Sequence, residues 1–360
     1  MSPVNDDVVF FTVLAAGLVP VLGPVDPSTG NLDPEGVDES TWSNLSAVLT
    51  TNLYGIPDRM DLLVQRCRRF GLLIVEDAAH ALESYFEDRR IGEFSPVAAY
   101  SLAKHVNSNG GVLTFTDAGR RESLVGRATE ELRRPSSLQL MTFRLRPFLR
   151  SLSEMAGAQK LIPKERSGYR MSYEPAQVLR GWKEGGGLDR FDRWVSVDDA
   201  AYRTVLPEWM IQDALRKLET LDENRRLRLE GTRKLLELRF PPRLSAYGPL
   251  FRVPLFVRER DRVLTYLLKR GLKLEYVYDP PLDIYAIPEL AERLPSHPSA
   301  LLWSRNVLPV DPLSADRFLE LLKPRLTRGD PADGLTCNVG FQADGTGSRQ
   351  KKQLALGFEL

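Results

Sequence analysis

Residues 74–111 read IVEDAAHALESYFEDRRIGEFSPVAAYSLAKHVNSNGG, and two short apolar runs inside them decide the fold. LLIVE (72–76) and VAAYS (97–101) have the aliphatic, β-branched make-up of strands covered on both faces, as in a parallel sheet. Asp77 and Ser101 would then both emerge at strand C-terminal ends, where open α/β sheets place their ligands. His80 follows Asp77 by three residues, and Lys104 follows Ser101 by three.

The pattern extends in both directions. Upstream, SAVLTTNL reads as a strand and PDRMDLLVQRCRRF as a helix closed by Gly71, with Pro57 suited to its first turn. Downstream, GVLTFT continues the strands, giving α/β with a largely parallel sheet. One long periodic helix is expected from Leu206 to Leu236, marking a change of domain. Beyond it, PLFRVPLFV, RDRVLTYLLKRG and LKLEYVY predict strand, helix and strand, with a last helix near DRFLELL. The expected domains are thus 1–205, carrying a basic helical excursion at about 120–195, and a small α+β unit at 206–327. Residues 328–360 are rich in turn formers and predict a disordered tail.

Composition narrows the function classes. Lys plus Arg (49) balances Asp plus Glu (48), so the broad basic field that drives nucleic-acid binding is missing. The two cysteines, Cys67 and Cys337, form neither a disulfide framework nor a metal-ligand spacing, which points to a reducing cytoplasm and no metal. Val8 to Val25 is nearly uncharged, but Gly17, Pro20, Gly23 and Pro24 interrupt it and no basic segment precedes it. It predicts a buried helix ending at Gly17 and then a core strand, not a membrane span. Between Arg120 and Arg170 basic residues outnumber acidic ones, which reads first as a solvated helical face and second as a membrane-surface or anion patch.

The acid, histidine, serine and lysine at these strand ends suit a pyridoxal phosphate site. That cofactor needs a lysine for a Schiff base, an acid for its ring nitrogen, donors for its phosphate and contacts to its ring. Taken alone, Asp77 is equally a cap for the AAHAL turn, Lys104 a surface lysine, and His80 a satisfied core residue. Position in the pattern separates the readings. VEDAAHA, AYS and KHVN before a Gly-Gly pair resemble the DegT-type (StrS-like) sugar aminotransferases, as do AAGLVPVLGPVDPSTGNLDPEGVD, LTTNLYGIPDRMDLL and the segments GLKLEYVYDPPL and LPSHPSALLWSRNVLPVDP, together roughly two thirds of the chain.

The resemblance implies a PLP-dependent transferase of fold type I. It implies Lys104 as the Schiff-base lysine and proton shuttle, Asp77 as partner of the ring nitrogen, and His80 as a contact to the cofactor's phenolic oxygen. Ser101 matches a phosphate donor, Asn107 a support of the lysine loop, and Arg203 an arginine that reaches into the neighbouring protomer. A homodimer follows. So does a substrate class: transfer of an amino group, from a donor such as glutamate, to a keto group of a nucleotide-linked sugar in polysaccharide or secondary-metabolite biosynthesis. Relatives with histidine in place of the lysine are dehydratases; here the lysine is kept.

The match also departs from the family's pattern. The family's S-G-T-x-A phosphate loop falls ahead of Met1, Asp6 stands where a ring-stacking aromatic is expected, and the serine-to-lysine step is about two residues short. Ala201, Tyr202 and Arg203 replace an Asn-x-Arg. Two readings stay open on these grounds: an aminotransferase, or a catalytically degraded relative that dimerises or scaffolds. Weak cofactor binding by the 360-residue chain is expected.

Overall fold

Asp6 starts the first helix by accepting the Val8 N–H at 3.0 Å, a cap that satisfies one orphan donor of α1 (Asp7–Ala15). Gly17, at φ +72°, turns the chain toward β1 (Val21–Leu22), as the helix-then-strand reading expects. Asp38 caps α2 (Glu39–Asn44) in the same way as Asp6, through the Thr41 N–H at 2.7 Å. Then come β2 (Ala47–Leu49), α3 (Met60–Phe70), β3 (Leu73–Asp77), a small hairpin of β4 (Tyr85–Phe86) and β5 (Arg89–Arg90), β6 (Val97–Ser101), α4 (Leu102–His105), β7 (Gly111–Phe115) and α5 (Ala118–Glu131). The computed structural model describes residues 1–108, 110–141, 144–145, 204–237, 248–257, 260–274, 278, 281–286, 290–294, 299–326, 338–339 and 356–357. Arg203, most of the basic excursion and nearly all of the tail lie outside the described residues.

The central sheet runs β2-β3-β6-β7, parallel through β6, with β7 antiparallel on β6. Its first face is covered by α3, which buries Met60, Leu63 and Cys67 against Trp42, Val48 and Ile74. Each such side chain removed from water contributes about 1.5–3 kcal/mol. The buried Trp42 keeps its polar edge satisfied by donating Nε1–H to the Val37 carbonyl at 3.1 Å. Helix α3 begins at Met60, so Pro57 lies ahead of it and not in its first turn. The cause is Asp58, whose buried carboxylate accepts the N–H groups of Thr51 and Asn52, both at 2.8 Å, and holds the chain against the end of β2 before the helix starts.

The expected helix from Leu206 to Leu236 is two helices, α6 (Glu208–Leu218) and α7 (Leu221–Leu236). Thr220 breaks it: its hydroxyl donates to the Lys217 carbonyl at 2.8 Å, a local bond that competes with helix continuation. The second core is built on α7, β8 (Val253–Phe256), α8 (Arg260–Leu268), β10 (Val307–Val310) and α10 (Ala315–Leu326), with Leu235, Val253, Leu267, Leu308 and Phe318 at its centre. Between α8 and β10 lie β9 (Glu292–Arg293), which pairs in parallel with β1, and α9 (Ser299–Asn306). Strand β8 takes β10 as its antiparallel partner, and the described part of LKLEYVY, residues 272–274 and 278, forms no strand. Periodicity alone does not separate one short apolar run from another as the pairing partner. Among the described residues no helix is long and apolar enough to cross a membrane.

Candidate active site

The ends of β3 and β6 and the turn after β2 open on a cavity of about 810 Å³. Asp77, His80 and Lys104 all line it, together with Asp6, Thr51 and Tyr278. Three of the residues marked by sequence therefore converge. Ser101 is half-buried at the N-cap of α4, paired across the sheet with Gly111, and does not line this cavity. Nor does Asn107, which is exposed at φ +49° and closes the turn beyond Lys104.

Asp77 holds the strand end by two bonds. Its Oδ1 accepts the Ala79 N–H at 3.0 Å, and its carbonyl accepts Asn52 Nδ2 at 3.0 Å. The capping role and the site role therefore coexist in one residue. Burial raises the Asp77 pKa above the usual carboxylate value, the Ala79 N–H and the Lys104 charge pull it back, and the Asp6 charge adds to the rise. Burial lowers the Lys104 pKa, against the opposing charges of Asp77 and Asp6 and with help from Arg252. A lysine in that setting yields its free amine at lower pH than a surface lysine does.

His80 is held from three sides. Its ring lies near-parallel to Tyr54 at 5.8 Å and to Phe251 at 4.8 Å. Its Nδ1 accepts the Tyr54 N–H at 3.1 Å, which assigns the proton of the neutral ring to Nε2. Burial, first, and then the charges of Lys104, His105 and Arg252 push its pKa well below the ordinary histidine value. The neutral ring is therefore the resting form.

The loop that places His80 is strained in a way that sequence hides. Asn52 (φ +45°) and Tyr54 (φ +59°) are left-handed, and Gly55 follows at φ +87°. Asn52 meets the cost through its side chain, which donates to Thr50 Oγ1 at 2.9 Å and to Asp77, and accepts the Asp58 N–H at 3.1 Å. A side chain at Gly55 would meet the His80 carbonyl at 3.0 Å and the Phe251 N at 3.1 Å. Sequence reading missed Asn52, Tyr54, Phe251 and Tyr278 as site residues. The N-L-Y-G run after a strand is the one local signal that could have flagged the first two.

Comparison with known proteins bears on the same segment. A sequence model of the DegT/DnrJ/EryC1/StrS aminotransferase family matches residues 9–125. Residues 9–125 are thus similar to that family, over about a third of the chain. A dTDP-3-amino-3,4,6-trideoxy-alpha-D-glucose transaminase of Streptomyces venezuelae is 38% identical over 121 residues, 32% of this chain and 31% of that protein. A pleiotropic regulatory protein of Geobacillus stearothermophilus is 30% identical over 110 residues, 29% of this chain and 30% of that protein. The chain thus matches about a third of the length of these curated relatives.

The fold likeness is broader. A DegT/DnrJ/EryC1/StrS aminotransferase from Brucella abortus superposes at a TM-score of 0.61, covering 90% of this chain and 78% of its own at 17% identity. An Escherichia coli GDP-4-keto-6-deoxy-D-mannose-3-dehydratase, solved with hydrated PLP, gives 0.59 at 15% identity, covering 90% and 78%. The fold is therefore that of the PLP-dependent sugar aminotransferases, α/β with a mainly parallel central sheet. The alternative of a degraded scaffold protein draws no support from these likenesses.

Proposed function

We propose that the protein is a PLP-dependent aminotransferase acting on a keto group of a nucleotide-linked sugar, with Lys104 as its catalytic residue. The observation that carries this reading is the convergence of Lys104, Asp77 and His80 on one cavity at the ends of parallel strands. Its volume lies within the range of cofactor and small-ligand sites. The ring end of the cofactor fits these residues: a half-buried amine, a half-buried carboxylate and a neutral imidazole with its N–H on Nε2. Among the described residues lining the cavity, Lys104 is the one lysine or arginine, so the matched Arg203 is the candidate for the phosphate end.

When bound, the cofactor supplies an electron sink for breaking bonds at the amine-bearing carbon. Lys104 would hold it through the Nζ amine and, once displaced by an incoming amine, carry a proton between substrate and cofactor carbons. Asp77 would keep the ring nitrogen protonated by pairing with it, the Ala79 N–H fixing the carboxylate's orientation. His80, fixed by Tyr54 and Phe251, would donate Nε2–H toward the ring oxygen. The nucleotide-sugar class and the glutamate donor rest on the relatives. Amino transfer to such a sugar, followed by product mass, tests them.

A homodimer belongs to the same proposal. The resemblance implies a site shared between protomers, and closed two-fold dimers are the commonest soluble assembly. Sedimentation at micromolar concentration is expected to show a dimer; a monomer alone would count against a site shared between protomers.

A further inference from the structure

Lys104 sits on a single helical turn, Leu102–His105, too short to fix its own geometry. The turn leaves its last carbonyls without helical partners. One side chain from far along the chain takes the carbonyl of His105, and a second binds a carbonyl two residues beyond the turn. Asn224 Nδ2, on α7, donates to the His105 carbonyl at 2.9 Å, and Lys217 Nζ, on α6, donates to the Asn107 carbonyl at 2.9 Å. Asn107 lies between these anchors at φ +49°, a conformation that persists when its surroundings impose it.

The Asn224 amide has one possible orientation. Its Oδ1 accepts Arg228 Nε–H at 2.9 Å, and a guanidinium can only donate, just as the His105 carbonyl can only accept. Arg228 is itself fixed, being 5% exposed and bonded to the Phe251 carbonyl at 3.1 Å and Asp311 Oδ1 at 3.2 Å. Phe251 in turn packs on both His80 and His105. A continuous set of contacts thus joins the lysine turn, α7 and the histidine that faces the same cavity.

We infer that Asn224, assisted by Lys217, is a positioning residue that clamps the Lys104 turn and so keeps the half-buried Lys104 side chain at the cavity wall. The inference deepens the proposed function and rests on the role given there to Lys104. Neither residue touches the cavity, so both act through the turn. Losing the clamp lets the turn swing outward and the amine become solvated.

Competitive acetylation of the cofactor-free protein across pH, read by mass spectrometry at the Lys104 peptide, tests this. In Asn224→Leu and in Lys217→Met the labelling midpoint of Lys104 is expected to rise toward that of an ordinary lysine, leaving a smaller share of free amine at a given pH. Lys234, on the far part of α7 and paired with Asp316, should not move. Buried Cys67 should stay protected from iodoacetamide, reporting an intact sheet. An unchanged Lys104 midpoint in both variants overturns the inference. If Asn224→Leu exposes Cys67, the partly exposed Lys217→Met site decides alone. A borohydride-trapped pyridoxal phosphate adduct that misses Lys104 in the wild type would overturn the proposed function instead, while the labelling comparison would still judge the clamp.

Discussion

Replacing Lys104 with alanine is expected to abolish the borohydride-trappable adduct with pyridoxal phosphate and to lower amino transfer by about 100- to 10,000-fold, the usual worth of a positioned proton-transfer group. Lys104 is the one lysine or arginine among the described residues lining the cavity, so no described neighbour can take over the attachment. The variant also removes the positive charge that faces Asp77 and Asp6. With that charge gone and burial unchanged, Asp77 is expected to hold its proton to higher pH, because the Lys104 charge is among the groups that pull its pKa down. Titration of the Asp77 carboxyl by infrared difference spectroscopy would follow this. An adduct of equal intensity in Lys104→Ala, mapped to another lysine, would sink the assignment.

Much of this site was legible because the chemistry lies where periodicity changes. LLIVE and VAAYS read as buried strands, and the residues just past them, Asp77, His80 and Lys104, face one cavity. The parts that stayed hidden are set by contacts distant in sequence. Phe251 stacks on His80 across 171 positions, and Asn224 reaches His105 across 119. No local pattern marks such pairs. In the second unit the antiparallel pairing of β8 with Val307–Val310 is likewise a contact distant in sequence, which the apolar runs by themselves do not specify. The split at Thr220 came from a single hydroxyl, which a search for apolar periodicity does not weigh.

His105 is expected to make the fold acid-labile. It is 5% exposed, its ring lies tilted against that of Phe251 at 5.5 Å, and burial, then Arg228, then Lys104 press its pKa down to about 3. A histidine whose folded pKa lies below its unfolded value of about 6.5 takes up a proton more readily on unfolding. The unfolded state therefore binds more protons between those two values. Stability from this residue is complete above pH 6.5, is lost as pH falls through that window, and is gone near pH 3. The full loss is on the order of 5 kcal/mol for a shift of this size. Carboxyls with raised pKa values, buried Glu76 and half-buried Asp77 among them, work in the opposite sense, since protonation favours their folded form. The informative quantity is accordingly a difference between proteins. Urea unfolding of wild type and His105→Gln at several pH values from 4 to 8 should give a shallower acid slope in the variant, because glutamine cannot take up the proton that drives the loss. Equal slopes would show that His105 is solvated enough to protonate in the folded state as readily as in the unfolded one.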